Sequence, residues 1–262
     1  MTIPLQFGLF WSGEKMSYLR YLTFKSLRHF HPESKISLYI SEYTPSEVKW
    51  WAEAQDFQSG FDYEDFMPKL KDLGIEIIKI DMFKKYLPNF QSDFFRWWYL
   101  KEFGGFYLDT DQIILKSFSE LPLDNNLIYS KYNAVSCGIY APVGVIGASK
   151  DSKIVSSVCK HLETFYKKDE YNSIGPDMFK KVLSEMSEPK MFNAPSHFFY
   201  PISESWLITD ALVEKIKISN ETFAFHWFGG NPKSQRFNNV FTKEFAMEND
   251  DTLSCFVKQF DW

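Results

Sequence analysis

The sequence predicts an α/β protein in which a central sheet is flanked by helices. Short apolar segments bounded by turn residues alternate with longer segments of helical periodicity through the first half of the chain. A pair of acidic residues directly follows one of the apolar segments, where a strand is expected to end. With 262 residues, of which 45% are hydrophobic, and no linker that marks a boundary, we expect a single domain, residues 1–262.

The first half begins with a regular alternation of strands and helices. Pro4–Trp11 is predicted to be a strand, the segment "MSYLRYLTFKSLRHF" a helix that stops before Pro32, and "KISLYIS" a second strand. Thr44–Glu47 has the form of a capping box with proline at the first helical position, which predicts a helix through Ala54. Gly74 then ends a helical turn, and "IEIIKID" is predicted to be the third strand.

The segment "SDFFRWWYLKEFGGFYLDTDQIIL", residues 92–115, combines a helix, a turn and a strand. Serine is a preferred N-cap residue, so the helix is predicted to begin at Ser92, which would place Asp93 and Arg96 on one face of its first turn. A pair of glycines ends the helix, and "FYL" is a short strand. Asp109 and Asp111 follow that strand, at the edge where open α/β sheets bind their ligands.

The two aspartates would repel each other unless a cation lies between them. Carboxylate oxygens suit Mg²⁺ or Mn²⁺, and diphosphate oxygens and waters fill the other ligand positions of such ions. A metal would also supply positive charge to a chain whose net charge is -5 and whose pI near 5.6 argues against general nucleic-acid binding. The alternative is a solvated acidic turn without a metal.

The second half gives weaker signals. "CGIYAPVGVIGAS" is expected to be extended chain with turns, residues 151–167 a helix, "SIGPDMFKKVLSEM" a loop that opens into a helix, and "TFAFHWFGG" a strand that leads into a glycine-rich loop. The three cysteines are widely spaced, which indicates neither a disulfide framework nor a zinc site and favours a reducing compartment. The first residues are expected to form a strand, not a signal peptide, and a cytoplasmic location follows.

The segment from Ser92 to Leu115 resembles the S-D-x-x-R, G-G-x-Y-x-D-x-D signature of DXD-containing sugar-transferring glycosyltransferases of family 32. That family is related to the catalytic domains of the large clostridial glucosylating toxins. The resemblance implies a GT-A type fold, a Rossmann-like nucleotide-sugar-binding fold with a mixed central sheet flanked by helices. Residues 1–117 would then be the nucleotide-sugar-binding half, and residues 118–262 the acceptor-side half with a C-terminal loop.

The resemblance also implies roles for the residues of the signature. Asp111 would ligate the metal directly, and Asp109 would contact the donor and reach the metal directly or through water. Asp93 and Arg96 would hold sugar hydroxyls and the diphosphate side of the donor, and Tyr107 would line the same pocket. A surface ion pair is the alternative for Asp93 and Arg96.

Two further segments are similar to parts of this family. "FWSG" follows the first strand, and its Trp11 is the candidate platform for a nucleobase, with Ser12 nearby; a tryptophan of the core is the alternative. His226 in "FHWFGG" is the candidate additional metal ligand, and a packed histidine is the alternative. Trp227 and Gly229 belong to the loop that would close over the donor.

The function implied by the resemblance is metal-dependent retaining transfer of a hexose. The donor would be a nucleoside diphosphate sugar, most simply a UDP sugar, and the acceptor a hydroxyl of a glycan or a glycolipid, as in polysaccharide biosynthesis, with at most peripheral membrane contact and no nucleic-acid partner. One alternative is an inactive nucleotide-sugar or glycan binder of the same fold. The other is a phosphatase of the haloacid dehalogenase type, although "ENDD" at residues 248–251 follows no hydrophobic strand as that family requires.

Overall fold

A seven-stranded sheet organises the part of the chain that the computed structural model describes, residues 2–41, 63–134, 138–202 and 212–262. The strands are β1 Gln6–Trp11, β2 Lys35–Ile40, β3 Glu76–Lys79, β4 Gly105–Leu108, β5 Gln112–Ile114, β6 Leu127–Ser130, β7 Tyr132–Ala134, β8 Gly138–Tyr140, β9 Val145–Ala148, β10 Met191–Ala194 and β11 Ala224–His226. The order in the large sheet is β10-β6-β9-β4-β1-β2-β3. The helix predicted from Thr44, with Trp50 and Trp51, lies outside the described residues.

The large sheet is mixed because one strand runs against its neighbours. β1, β2, β3 and β4 are parallel, and β6 is parallel to β10, whereas β9 pairs antiparallel with both β4 and β6. Two small antiparallel ribbons complete the strands, β5 with β11 and β7 with β8. The mixed sheet and its flanking helices confirm the predicted α/β fold class.

Helices cover both faces of the sheet. Their bounds are α1 Tyr18–Phe30, α2 Pro88–Phe103, α3 Lys153–Phe165, α4 Pro176–Glu185, α5 Pro232–Gln235, α6 Phe237–Val240, α7 Lys243–Glu248 and α8 Thr252–Phe260. Side chains of β1 alternate between two apolar cores: Phe7 and Leu9 pack with α1, whereas Phe10 packs with Phe95 of α2. Among the described residues, no helix has both the length and the apolar character needed to cross a membrane.

The helix that precedes the aspartate pair begins earlier than the sequence predicts. Its first residue is Pro88 and its N-cap is Leu87, so Ser92 is not the N-cap, and Asp93 and Arg96 do not lie in the first turn. Proline suits the first helical position because it has no N–H to lose there, and it holds the preceding residue extended. The three-residue spacing still places Asp93 and Arg96 on one face, now in the body of α2.

Candidate active site

The aspartate pair lies at the carboxyl edge of the parallel strands, as predicted. Asp109 follows β4 directly, and Trp11 is the last residue of the neighbouring strand β1. The Asp109 N–H donates to the carbonyl of Gly144, the residue before β9, at 2.8 Å. The antiparallel strand therefore brings the second half of the chain against the aspartate loop.

Helix α1 holds the aspartate loop from one side. The guanidinium of Arg20 donates to Oγ1 of Thr110 at 2.9 Å, and the hydroxyl of Thr23 donates to the Thr110 carbonyl at 2.9 Å. One turn further along α1, Ser26 accepts the N–H of Ile114 in β5 at 3.0 Å. These three side chains are spaced at intervals of three on one face of α1. Arg20 and Thr23 fix Thr110, the residue between the two aspartates, at its side chain and its backbone, and Ser26 fixes the strand that follows.

Asp111 is held by β11 and by the loop that follows it. Its Oδ1 lies 2.9 Å from Nε2 of His226, and its Oδ2 accepts the Gly229 N–H at 2.7 Å. Burial raises the pKa of Asp111, but the charge and hydrogen bond of His226, the charge of Arg20 and the Gly229 N–H together outweigh it, so the pKa lies below its ordinary value. Asp111 is therefore ionised in spite of its burial.

The residues proposed as metal ligands from the sequence converge in the structure. Asp109, Asp111 and His226 each offer one ligand atom, and these three atoms lie within 4.8 Å of one another. Two carboxylate oxygens and one imidazole nitrogen form a donor set that suits Mg²⁺ or Mn²⁺. The Asp111–His226 contact holds both side chains in place, and among the described residues Nδ1 of His226 is buried without a hydrogen-bond partner. The residues present therefore fit a divalent cation.

Asp109 is oriented by a buried network on α2 and β4. The hydroxyl of Tyr107 donates to its Oδ1 at 2.5 Å, and Nη2 of Arg96 lies 3.6 Å from the same oxygen. Arg96 also pairs with Asp93 at 2.9 Å and donates to the carbonyl of Val143 at 2.7 Å. Burial lowers the pKa of Arg96, but Tyr107, Asp93 and Asp109 raise it by more. The pKa therefore lies above its ordinary value, and the guanidinium stays charged. Burial likewise raises the pKa of Tyr107, which remains a hydrogen-bond donor.

Asp93 and Arg96 expose little surface. The side chains are only 8% and 6% exposed, and both terminal nitrogens of Arg96 already have protein partners. The surface-pair alternative is wrong, because the pair is buried. The geometry gives Arg96 a role in orienting Asp109 and leaves it little access to a diphosphate.

Two tryptophans that the sequence assigns to the donor site, Trp11 and Trp227, are less accessible in the structure than we expect from the sequence. Trp11 is partly exposed, but the guanidinium of Arg20 lies over its ring at 4.7 Å, which leaves at most one face for a base. Ser12 lies next to it and is also partly exposed. Trp227, proposed as part of a closing loop, is fully buried and faces Arg20 at 5.3 Å. The packing of Trp227 therefore opposes opening at that residue.

Sequence reasoning missed two residues of this site, Arg20 and Gly144. Arg20 lies in an amphipathic helix, where a charged residue is normally assigned to the solvent face. The one sequence feature that indicated another place is that its neighbours in the helix are apolar, and the structure buries them. Gly144 gave no signal, because its role depends on the antiparallel pairing of β9 with β4.

Replacing Gly144 by alanine is expected to weaken Mn²⁺ binding by about 10–100-fold with little change in thermal stability. A Cβ at this position would lie 2.7 Å from Oδ2 of Asp109 and 3.3 Å from the Tyr200 hydroxyl, so the carboxylate must move. Calorimetric titration of Mn²⁺ into both proteins measures the effect. An unchanged Mn²⁺ affinity in Gly144→Ala would show that Asp109 does not need this position to hold the ion.

Comparison with known proteins agrees with the geometry. Residues 19–132 match the family described as "Glycosyltransferase sugar-binding region containing DXD motif". The solved structure of the PaToxG glycosyltransferase is similar over 70% of each chain, at 18% identity and a TM-score of 0.51. The bifunctional glycosyltransferase WbbM is similar over 99% of this chain and 50% of its own, at 11% identity and a TM-score of 0.51.

A third solved structure, the galactosyltransferase LgtC in complex with donor and acceptor sugar analogs, covers 86% of this chain and 87% of its own, at 16% identity and a TM-score of 0.48. No curated protein matches the chain by sequence. The likeness to PaToxG and WbbM concerns the fold, and the matched region adds the enzyme class. The comparisons therefore confirm the resemblance inferred from Ser92–Leu115: residues 19–132 match the DXD-containing sugar-binding region of glycosyltransferases, and the fold is similar to that of PaToxG and WbbM.

Proposed function

We propose that this protein is a metal-dependent retaining glycosyltransferase that moves a hexose from a UDP sugar to a hydroxyl of a glycan or glycolipid acceptor, as in polysaccharide biosynthesis. The observation that carries the proposal is the convergence of Asp109, Asp111 and His226, whose ligand atoms lie within 4.8 Å of one another at the carboxyl edge of the sheet. The glycosyltransferase region at residues 19–132 supports it. Retention and the choice of UDP rest on the family resemblance.

Asp109, Asp111 and His226 would hold Mn²⁺ or Mg²⁺. When bound, the ion supplies positive charge that stabilises a departing diphosphate. Asp111 is suited to this role because it is ionised and nearly buried, with a side chain that is 11% exposed. Asp109 is more open, at 26% exposed, and would face the donor as well.

The remaining residues prepare this site before the donor binds. Tyr107 and Arg96 fix the orientation of Asp109, and Asp93 holds Arg96 in place. Such preorganised charges and dipoles stabilise a transition state without reorganising during the reaction. The edge of the Asp93–Arg96 pair and the free face of Trp11 remain our candidates for the contacts to sugar and base.

The transfer breaks the bond between the anomeric carbon and the diphosphate oxygen and forms a bond from that carbon to the acceptor oxygen. We assign the acceptor proton to the departing diphosphate oxygen, which gains negative charge as the bond breaks. In this scheme the protein positions the reactants and stabilises charge, and no side chain has to act as nucleophile.

The decisive experiment is a calorimetric titration of UDP and then GDP, with and without Mn²⁺, followed by assay of UDP-sugar cleavage through release of UDP. We expect UDP to bind and its binding to require Mn²⁺. A preference for GDP would contradict the choice of donor, and binding without measurable turnover would favour the inactive binder. If neither nucleotide binds in the presence of Mn²⁺, the proposal is wrong and the phosphatase hypothesis is the next to test.

A further inference from the structure

Two arginines approach the aspartate loop, but in the described part of the chain only Arg20 has unpaired N–H groups on a partly exposed side chain, since the one unpaired donor of Arg96, its Nε, is buried. Arg96 is 5% exposed, and its terminal nitrogens donate to Val143 and Ser92 and pair with Asp93. The charge of Arg96 is therefore already paired with groups of the protein. A diphosphate that reaches this loop needs a cationic partner with unused N–H groups, because phosphate oxygens are strong acceptors.

Arg20 has such unused donors. Among the described residues its guanidinium makes one hydrogen bond, from Nη1 to Oγ1 of Thr110 at 2.9 Å, and no ion pair within 4.0 Å. The side chain is half-buried, so it keeps an open side. Its Nη2 and Nε therefore carry N–H groups that no oxygen of the described residues accepts.

Two tryptophan rings pack against the guanidinium of Arg20. Trp11 lies 4.7 Å from it and Trp227 lies 5.3 Å from it, measured to the ring centroids. A guanidinium stacked on aromatic rings keeps its in-plane N–H groups available for a bidentate contact with phosphate. The two rings also restrict the side chain, which lowers the entropy lost when a ligand binds.

The Nη2 end of the guanidinium lies beside Gly229, the residue that holds Asp111. Nη2 of Arg20 lies 2.9 Å from the place that a Cβ on Gly229 would take, and the N–H of Gly229 donates to Oδ2 of Asp111 at 2.7 Å. A side chain at Gly229 would also come within 2.6 Å of the Trp227 ring. Glycine is thus required here to leave room for the guanidinium beside Asp111.

We propose that Arg20 binds the diphosphate of the nucleoside diphosphate donor, through Nη2 and Nε, on the side of the aspartate loop opposite to Arg96. This assignment rests on the proposed function and adds a residue of α1 to the donor site. Arg20 and the metal ligands would then hold the diphosphate from two sides, and Arg96 would affect the diphosphate only through Asp109.

The test compares UDP with uridine, because only UDP carries the diphosphate. Affinities for both are measured in Mn²⁺ by quenching of tryptophan fluorescence, for the wild-type protein, Arg20→Gln and Arg20→Lys. We expect Arg20→Gln to lower UDP affinity by about tenfold to a hundredfold and to leave uridine affinity unchanged, with Arg20→Lys between the two. Lys25→Gln removes one charge from the same helix and should bind UDP as the wild type does.

A second variant separates direct contact from an effect on the loop. Thr110→Val removes the hydrogen bond to Arg20 but keeps the guanidinium, and because Thr110 belongs to the aspartate loop we expect some loss of UDP affinity, but a smaller one than in Arg20→Gln. If Thr110→Val loses as much UDP affinity as Arg20→Gln, or if Arg20→Gln weakens uridine and UDP equally or neither, Arg20 does not bind the diphosphate. Failure of the wild-type protein to bind any nucleoside diphosphate would instead overturn the proposed function, and this inference with it.

Discussion

Replacing Asp111 by asparagine is expected to abolish Mn²⁺-dependent nucleotide binding and to lower turnover by at least about a thousandfold. A metal that stabilises a leaving group is worth several kcal/mol in the transition state, and about 4 kcal/mol corresponds to a factor of a thousand. Asparagine keeps the size of Asp111 and an oxygen to accept the N–H of Gly229, but it loses the negative charge that a cation requires. UDP release from a UDP sugar measures turnover, and calorimetry measures Mn²⁺ binding.

The fold should survive this change. Asp111 sits between His226 and Gly229, and an amide can accept one hydrogen bond from either partner, so circular dichroism and the cooperativity of unfolding should be preserved. Asp124→Asn is the matched control, because that carboxylate is 70% exposed and only pairs with Lys190 at the surface. Near-normal turnover of Asp111→Asn, or of the wild-type protein stripped of metal, would contradict the mechanism.

Arg96→Met is expected to have the largest effect on stability, a loss of about 3–5 kcal/mol in the free energy of unfolding. The change removes a cationic partner of Asp93 and one neighbour of Asp109, and it leaves the Val143 carbonyl without its donor. Buried charges without partners are strongly unfavourable. A shift of about 2–4 °C per kcal/mol predicts a fall in Tm of roughly 6–20 °C.

Urea denaturation of the variant and of a control measures this loss. Lys101→Met is the control, since Lys101 is an exposed residue of the same helix. Asp93→Asn combined with Arg96→Met should regain part of the stability, because the double variant leaves one buried charge fewer. If Arg96→Met unfolds at the same urea concentration as Lys101→Met, the buried network does not stabilise the fold.

The position of the aspartate pair could be predicted from local sequence alone. A glycine pair after a helix and a short apolar strand before two acids fix the end of a strand, and strand ends are where α/β folds place their sites. The predicted start of this helix was wrong. Ser92 is a good N-cap by residue type, but proline is also favoured at the first helical position, and the helix begins at Pro88, four residues earlier. Local preference does not decide between two acceptable starts.

Contacts between distant parts of the chain were harder to predict. His226 was proposed as a ligand only through the family resemblance, since 115 residues separate it from Asp111 and no local pattern joins them. Arg20 was missed because a helical pattern shows which face is polar and not what that face meets. The partner of Arg20 is set by the tertiary packing of α1 on the aspartate loop, through Thr110.

The antiparallel strand β9 has a consequence for how this enzyme could be recombined with its relatives. β4 pairs with β1 on one side and with β9 on the other, where Leu108 is opposite Val145. The backbone of Asp109 is therefore bonded to Gly144, which belongs to a segment that comes after residue 132. A chimera joined between residues 117 and 118 would place the aspartate loop against a β9 strand taken from the other protein. A chimera that keeps the surroundings of Asp109 intact would therefore need its junction after Ala148, so that Gly144 and β9 stay with residues 1–117.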